Sequence, residues 1–392
     1  MDNAAMTAVS RYLEDNRQEI LDFYRALVCL QSYARDPGEV LQAFSLYRTE
    51  LEKEGAVCRL VDVGANAPTM VGIIGADRPG KPVVLAGHID TVFAPGIWEE
   101  PHFRIENGIA YGPGVYDMKG GLVIILAAIR ALNSIGYADR PIKLVISGDE
   151  EINHTDSTSA SVFEEEAEGA ACAFNFEPTD SDPWLCIGRK GNVRFGVVVH
   201  GFSAHCMNAD KPGVVSAIRE MAYKVIDWHA ITDWDAGTSV NVGLIKGGTA
   251  ANTVPDLCDI ELDIRFTTYA EMEKAIGKFE AVCNKSYLEG THTEYKRLNI
   301  MDVFERSAKN DRLFDFVRQV SEKYGLGPRE TNYRAGGSDA AYLSRAGVPT
   351  LCSFGVVGGS GHTVREFAYV ESVFNRAALV AATVLELDSF HA

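Results

Sequence analysis

Several features that would settle a function at a glance are missing from this chain of 392 residues. Positive charge is in deficit: 37 Lys and Arg stand against 54 Asp and Glu, a formal net charge of −17. That balance lacks the electrostatic footprint of a nucleic-acid binder or of a protein held on an anionic membrane. No stretch approaches the ~18 uninterrupted apolar residues of a membrane span. The opening MDNAAMTAVSRYLEDNRQEILDFYRALVCL is a polar helical pattern without the basic leader and apolar core of a signal peptide. The eight cysteines never form a CxxC pair. Scattered thiols argue against a disulfide framework and for a reducing compartment, so the cytoplasm is expected. No early GxGxxG follows a first strand, which sets aside a dinucleotide-binding enzyme. No internal repeat or low-complexity segment breaks the chain.

What is present is length, an apolar fraction of 46%, and a rhythm. The length predicts two or three domains with a sizeable core. Over the first 190 residues short β-rich runs (Val57–Val63, Met70–Gly75, Pro82–Ala86, Ile142–Ser147, Ala171–Phe176) alternate with helical patterns at 11–30, 39–55, 119–134 and 157–168. Apolar strands between helices predict a mostly parallel sheet covered on both faces. After Arg189 the order becomes β-α-β-β-α-β, ending in the strand Thr293–Ile300, which is a ferredoxin-like unit. The α/β rhythm then resumes, with helices at 310–323, 337–346 and 369–387. The expected organisation is an α/β domain of residues 1–188 and 301–392, with a smaller ferredoxin-like domain, 189–300, inserted in it.

Five polar clusters fall just after predicted strands of the larger domain, where open parallel sheets bind ligands. They are Gly87-His88-Ile89-Asp90, the segment from Gly114 to Gly121 carrying Asp117 and Lys119, Gly148-Asp149-Glu150-Glu151, Phe176-Glu177-Pro178, and Gly359-Ser360-Gly361-His362-Thr363. Each is ordinary by itself: a histidine after a strand is commonly structural, and an Asp before glycines is commonly a cap. Together they supply imidazole and carboxylate donors and no thiolate, a set suited to zinc, or to cobalt or manganese.

Read jointly, GHIDTVF, FRIENGIAYGPGVYDMKGG, DEE, FEPT, ANTVPD, GGSDAAY and GHT resemble the co-catalytic zinc exopeptidases of metallopeptidase family twenty. The likeness runs over nearly the whole chain and favours the glutamate carboxypeptidase branch. It implies a zinc-binding α/β domain with an inserted lid that forms a homodimer. It also implies two Zn2+ ions per subunit: His88 and Glu177 on the first, Glu151 and His362 on the second, Asp117 bridging both. Glu150 would be the general base, and Asp90 the partner that orients the His88 imidazole. From the lid, His205 would stabilise the oxyanion, Asn252 would face the substrate, and Arg265 would grip its carboxylate with a bidentate fork. Gly337 and Ser338, in the loop Gly336–Asp339, would touch substrate. One departure stands out: the lid motif reads Ala204-His205-Cys206-Met207, where the family usually has Ser-His-Ala-Gly.

The implied activity is hydrolysis of an amide bond next to a free carboxylate, on small peptides. Glu at position 177 favours carboxypeptidases and deacylases, since aminopeptidase-type members tend to carry Asp there. An N-acyl-amino-acid deacylase is the alternative, because an acylated amino acid and a dipeptide share the same amide and carboxylate. A di- or tripeptidase of the aminopeptidase type is a lesser one. A non-catalytic scaffold on this fold would lack a ligand or the base, and every such position is filled.

Overall fold

The computed structural model describes residues 3–100 and 102–391. The chain divides into two compact units. One comprises Met1–Gly188, Arg306–Arg334 and Ser338–Ala392, and the other Arg189–Glu305 with Ala335–Gly337. The return to the larger unit therefore falls at Arg306, not at the expected residue 301. The cause is local: the strand His292–Met301 stays paired with Gly191–His200 to its last residue, and Arg189 N–H still donates to Phe304 O at 2.8 Å.

The larger unit is built on a six-stranded sheet in the order Ala56–Val61, Thr69–Ile74, Ile142–Ser147, Val83–His88, Cys172–Asn175, Thr350–Leu351. The first two pairings are antiparallel and the remaining three parallel. Strand Val83–His88 is buried along its whole length, as befits a central strand covered on both faces. The helices Lys119–Ser134 and Val370–Glu386 bury nearly every residue in the same core. The sequence LVIILAAIRAL has almost no polar face to leave in water. The helical pattern expected over 11–30 is two helices, Asn3–Asp15 and Arg17–Cys29. They break at Asn16, whose side chain turns back to donate to Tyr12 O at 2.8 Å, the competition with backbone typical of Asn.

Parallel register aligns the strand ends: His88 lies opposite Ser147, and Asn175 opposite Ala86. The residues that follow those strands leave the sheet at one edge. The Gly120-Gly121 pair lets the helix start pack against that edge. A Cβ on Gly121 would sit 2.2 Å from Phe176 O, a contact no side chain tolerates.

The smaller unit is a four-stranded antiparallel sheet, Ser239–Gly247, Leu257–Phe266, Gly191–His200, His292–Met301, with helices Ala217–His229 and Tyr269–Asn284. Its core holds Val193, Phe195, Val197, Leu262 and Ile264 from one sheet face with Trp228 and Phe279 from the helices. The alternate positions, among them Arg194, Asp263 and Arg265, stand on the other face.

Candidate metal centre

Five of the expected side chains converge at the aligned edge of the larger unit. Asp117 is central. Its Oδ1 is 3.2 Å from His88 Nε2, and its Oδ2 is 3.3 Å from His362 Nε2. Glu177 Oε1 lies 3.6 Å from the same His88 nitrogen, and Glu151 Oε2 lies 3.2 Å from the same His362 nitrogen. The geometry thus makes two triads sharing Asp117: His88, Asp117, Glu177 and Asp117, Glu151, His362. Ligand atoms about 2.0–2.1 Å from a tetrahedral zinc lie roughly 3.3 Å from one another, close to the observed separations.

The electrostatics also fit cations. Burial pushes Glu151 up to about 7, with the Asp117 charge adding to it. Glu150 is raised well above the carboxylate range, chiefly by burial and also by the nearby Glu177, Asp339 and Glu151 charges. Glu151 Oε1 is buried without a hydrogen-bond partner. Hydrogen bonds to Asp117 and Glu151 lift His362 to about 11. For His88, burial opposes the charge, but the bonds to Asp117 and Asp90 outweigh it and raise the ring. For Asp117, burial is likewise outweighed, by His362 and His88, and the carboxyl falls below its usual range. So many carboxylates in so small a buried volume need more positive charge than two imidazoles supply.

Glu150 comes from the same short turn, Glu150–Ile152, as Glu151, with Oε2 3.9 Å from His88 Nε2. It sits at the cluster without belonging to either triad. Asp90 is fully buried but orients His88 differently from expectation. His88 Nδ1 lies 3.1 Å from the Asp90 main-chain oxygen and 3.4 Å from the carboxylate Oδ1. An Nδ1–H donated there leaves Nε2 as the free lone pair. The other carboxylate oxygen, Oδ2, accepts the Glu151 N–H at 3.0 Å, so Asp90 joins His88 to Glu151.

Glu366 was not anticipated from sequence. It is buried, and its Oε1 accepts the N–H groups of Tyr116 (2.8 Å) and Asp117 (3.0 Å), which fixes the segment carrying the central carboxylate. Burial lifts its own carboxyl to about 8. The only hint in the sequence was an acidic residue four positions after His362.

In the smaller unit, His205 and Asn252 are brought together. His205 pairs with Thr253 in a two-residue ladder, and Cys206 N–H donates to Asn252 O at 2.9 Å. Both side chains are exposed. The altered motif is accommodated by His205 capping itself, its Nδ1 accepting Met207 N–H at 3.2 Å. Arg265 lies elsewhere, on the open sheet face, with Nε on Asp263 at 3.0 Å and Nη1 on Ala335 O at 2.8 Å. It lines a groove of about 420 Å³ with Arg194, Ser239, Asn241 and Asp263.

The Gly336–Asp339 loop does not present its side chains as expected. Ser338 is fully buried, its hydroxyl 3.5 Å from Cys352 Sγ. Gly337 is needed for packing, since a Cβ there would meet Met301 Cγ at 2.3 Å. The following helix, Ala340–Arg345, is shorter than the segment 337–346 expected. A glycine-serine turn is as good a sequence for inward packing as for ligand binding, and the residue types do not distinguish them.

Comparison with known proteins agrees with this architecture. Residues 84–386 match the model of Peptidase family M20/M25/M40. The chain belongs to this family. It is 27% identical to carboxypeptidase G2 of Pseudomonas sp. (strain RS-16), over 96% of this chain and 91% of that protein. It is also 27% identical to a succinyl-diaminopimelate desuccinylase of Gluconacetobacter diazotrophicus, over 81% of this chain and 84% of that one. Among solved structures, aminopeptidase PepT of Bacillus cereus shares the fold with a TM-score of 0.81 at 23% identity, covering 95% of this chain and 99% of its own. As a member of this family the protein is an enzyme of the metallopeptidase and amidohydrolase class. Among the described residues no helix is long and apolar enough to cross a membrane.

Proposed function

We propose that the protein is a dinuclear zinc hydrolase that cleaves an amide bond next to a free carboxylate, acting as a carboxypeptidase on small peptides. The observation that carries this is Asp117, whose two oxygens reach two different histidines, each with its own further carboxylate. His88, Asp117 and Glu177 would hold one ion, and Asp117, Glu151 and His362 the other, with cobalt or manganese as substitutes for zinc. Such a pair supplies the charge that polarises a scissile carbonyl and lowers the pKa of water.

The chain's own groups do the rest. Glu150, beside the triads and outside them, takes the proton of the attacking water and passes it to the departing amine. Asp90 holds the His88 ring with its lone pair inward. Arg265 grips the substrate carboxylate through its guanidinium, while Asn252 and His205 serve the reacting carbonyl. In this reading the larger unit is the catalytic domain and the smaller one a lid. Exposed Leu244 and Ile245 on the outermost strand Ser239–Gly247 support a homodimer formed through that lid. Eight free cysteines support a reducing, cytoplasmic setting.

A second reading, an N-acyl-amino-acid deacylase, is favoured by the desuccinylase among the relatives. The Glu at 177 speaks for either reading over an aminopeptidase. A panel of dipeptides, tripeptides, acyl-glutamates, succinyl- and acetyl-amino acids, assayed with added zinc, cobalt or manganese, separates them. Release of a C-terminal amino acid from peptides is expected. Turnover confined to acyl substrates moves the assignment to the deacylase, and cleavage only from free amino termini overturns both.

A further inference from the structure

A buried histidine that the catalytic reading leaves unused sits three residues beyond Glu151. His154 is 7% exposed. Its Nδ1 is 2.7 Å from Asp149 Oδ1, and its Nε2 is 2.6 Å from Asp339 Oδ1. Both ring nitrogens face carboxylate oxygens, so both donate, and the ring carries the charge that offsets the pair. Burial opposes that charge, and Asp339 and Asp149 outweigh it, raising the ring well above an ordinary histidine. Phe163 and Tyr342 rings flank it at 6.3 and 5.6 Å.

The two carboxylates are themselves tied to different segments. Asp149 directly precedes the Glu150–Ile152 turn, and it also accepts Ser159 Oγ at 2.7 Å and Asn66 Nδ2 at 3.2 Å. Asp339 opens the helix Ala340–Arg345 and accepts Ser147 Oγ, from the end of the strand Ile142–Ser147, at 2.9 Å. The same Asn66 amide donates to Thr155 O at 2.7 Å.

These bonds surround a loop that the backbone would not choose unaided. Asn153, His154 and Asp156 have φ of +54°, +49° and +59°. Asn, Asp and His enter the left-handed region more readily than other non-glycine residues, but each does so at a cost, and none of the three is glycine. Such conformations persist where surrounding contacts over-determine them, and they gather at functional sites. This one immediately follows the two glutamates of the cluster, with Asn153 N–H closing back on Glu150 O at 2.6 Å.

We infer that His154 is a positioning residue. By bridging Asp149 to Asp339 it clamps the 149–157 loop, and so sets where Glu150 and Glu151 stand. It rests on the metal-hydrolase reading for its consequence, though not for its geometry.

The test uses the full chain with His154→Gln, whose single amide does not reproduce an imidazole spanning two carboxylates. Three readouts are compared with the parent: amide hydrogen exchange by mass spectrometry, bound zinc after dialysis, and kcat against KM. Exchange is expected to accelerate in peptides covering 148–158 and to stay at the parental rate elsewhere. Bound zinc is expected to fall from two equivalents toward one, and kcat to fall roughly 10–100-fold with KM little changed. Parental exchange in 148–158 overturns the inference. So does a lower melting temperature accompanied by two zinc equivalents and parental kcat, the result of a purely structural histidine. If His154→Gln does not fold, Asp339→Asn, which leaves the His154–Asp149 bond in place, is expected to show the same pattern more weakly, and unchanged exchange there overturns it. If the parent takes up no zinc and hydrolyses nothing, the metal-hydrolase reading falls, while the exchange comparison still decides the clamp.

Discussion

The two units present their expected functional residues in opposite ways. In the larger one, His88, Asp117, Glu151 and Glu177 are largely buried, and only His362 has an exposed side chain; the carboxylates lie 3.2–3.6 Å from the Nε2 atoms of His88 and His362, and the cluster is braced by Asp90 and Glu366. In the smaller one, His205 and Asn252 are exposed, and Arg265 is already engaged by Asp263 and Ala335. A buried, braced cluster has its geometry before anything binds, and this preorganisation lowers a reaction barrier. Exposed polar groups spend part of their binding energy on being ordered. The larger unit should therefore govern kcat, and the smaller one KM.

The sharpest way to break that contrast is Glu150→Gln. The amide keeps the shape but cannot take a proton, so kcat is expected to fall by roughly 10²–10⁴. Zinc content should stay at the parental value, because Glu150 stands outside both triads. Steady-state kinetics and metal analysis on one preparation check both points. Near-parental turnover would remove Glu150 from its role. Loss of zinc would mean that the cluster is less divided between ligands and base than its distances indicate.

Arg265→Lys tests the other side. Lysine keeps the charge but loses the planar fork, so KM for a carboxylate-bearing substrate should rise roughly tenfold, about 1.4 kcal/mol and near the lower end of what a bond to a charged group contributes, with kcat less affected. Replacing the substrate carboxylate by an amide should reduce the penalty of the substitution. A variant that lost kcat at constant KM would place Arg265 with the preorganised groups and dissolve the distinction.

The same contrast explains what was legible in the sequence. The alternation of strands and helices located the polar clusters at strand ends, and the resemblance of their motifs to the zinc exopeptidases picked out His88, Asp117, Glu151, Glu177 and His362 within them. Likewise, period-two alternation in Asn192–His200 marked a strand of the small sheet, while the face on which Arg194 and Arg265 stand came from the structure. What stayed hidden depends on long-range side-chain partners. Glu366 and His154 act through residues 249 and 185 positions away, and neither sits in a pattern that announces it. Ser338 shows the converse error: a loop composition that suits a ligand equally suits Cys352. Helix ends were also misread where a single side chain decides, as at Asn16.

Arg194 gives the smallest expected effect and the finest resolution. It lies directly across from Asp263 in the sheet, with Nε 3.4 Å from Asp263 Oδ2, while Arg265 holds the other oxygen of the same carboxylate. Half of its side chain is exposed, so the pair contributes about 0–1 kcal/mol to stability, and Arg194→Ala should barely move the melting temperature. Its removal does, however, leave Asp263 to Arg265 alone and strengthens that competitor for the guanidinium. KM should therefore rise slightly, by less than in Arg265→Lys, and the rise should shrink at high salt, where exposed charges are screened. A KM increase matching that of Arg265→Lys would mean that both arginines meet the substrate, and a change confined to kcat would contradict the assignment of this face to binding.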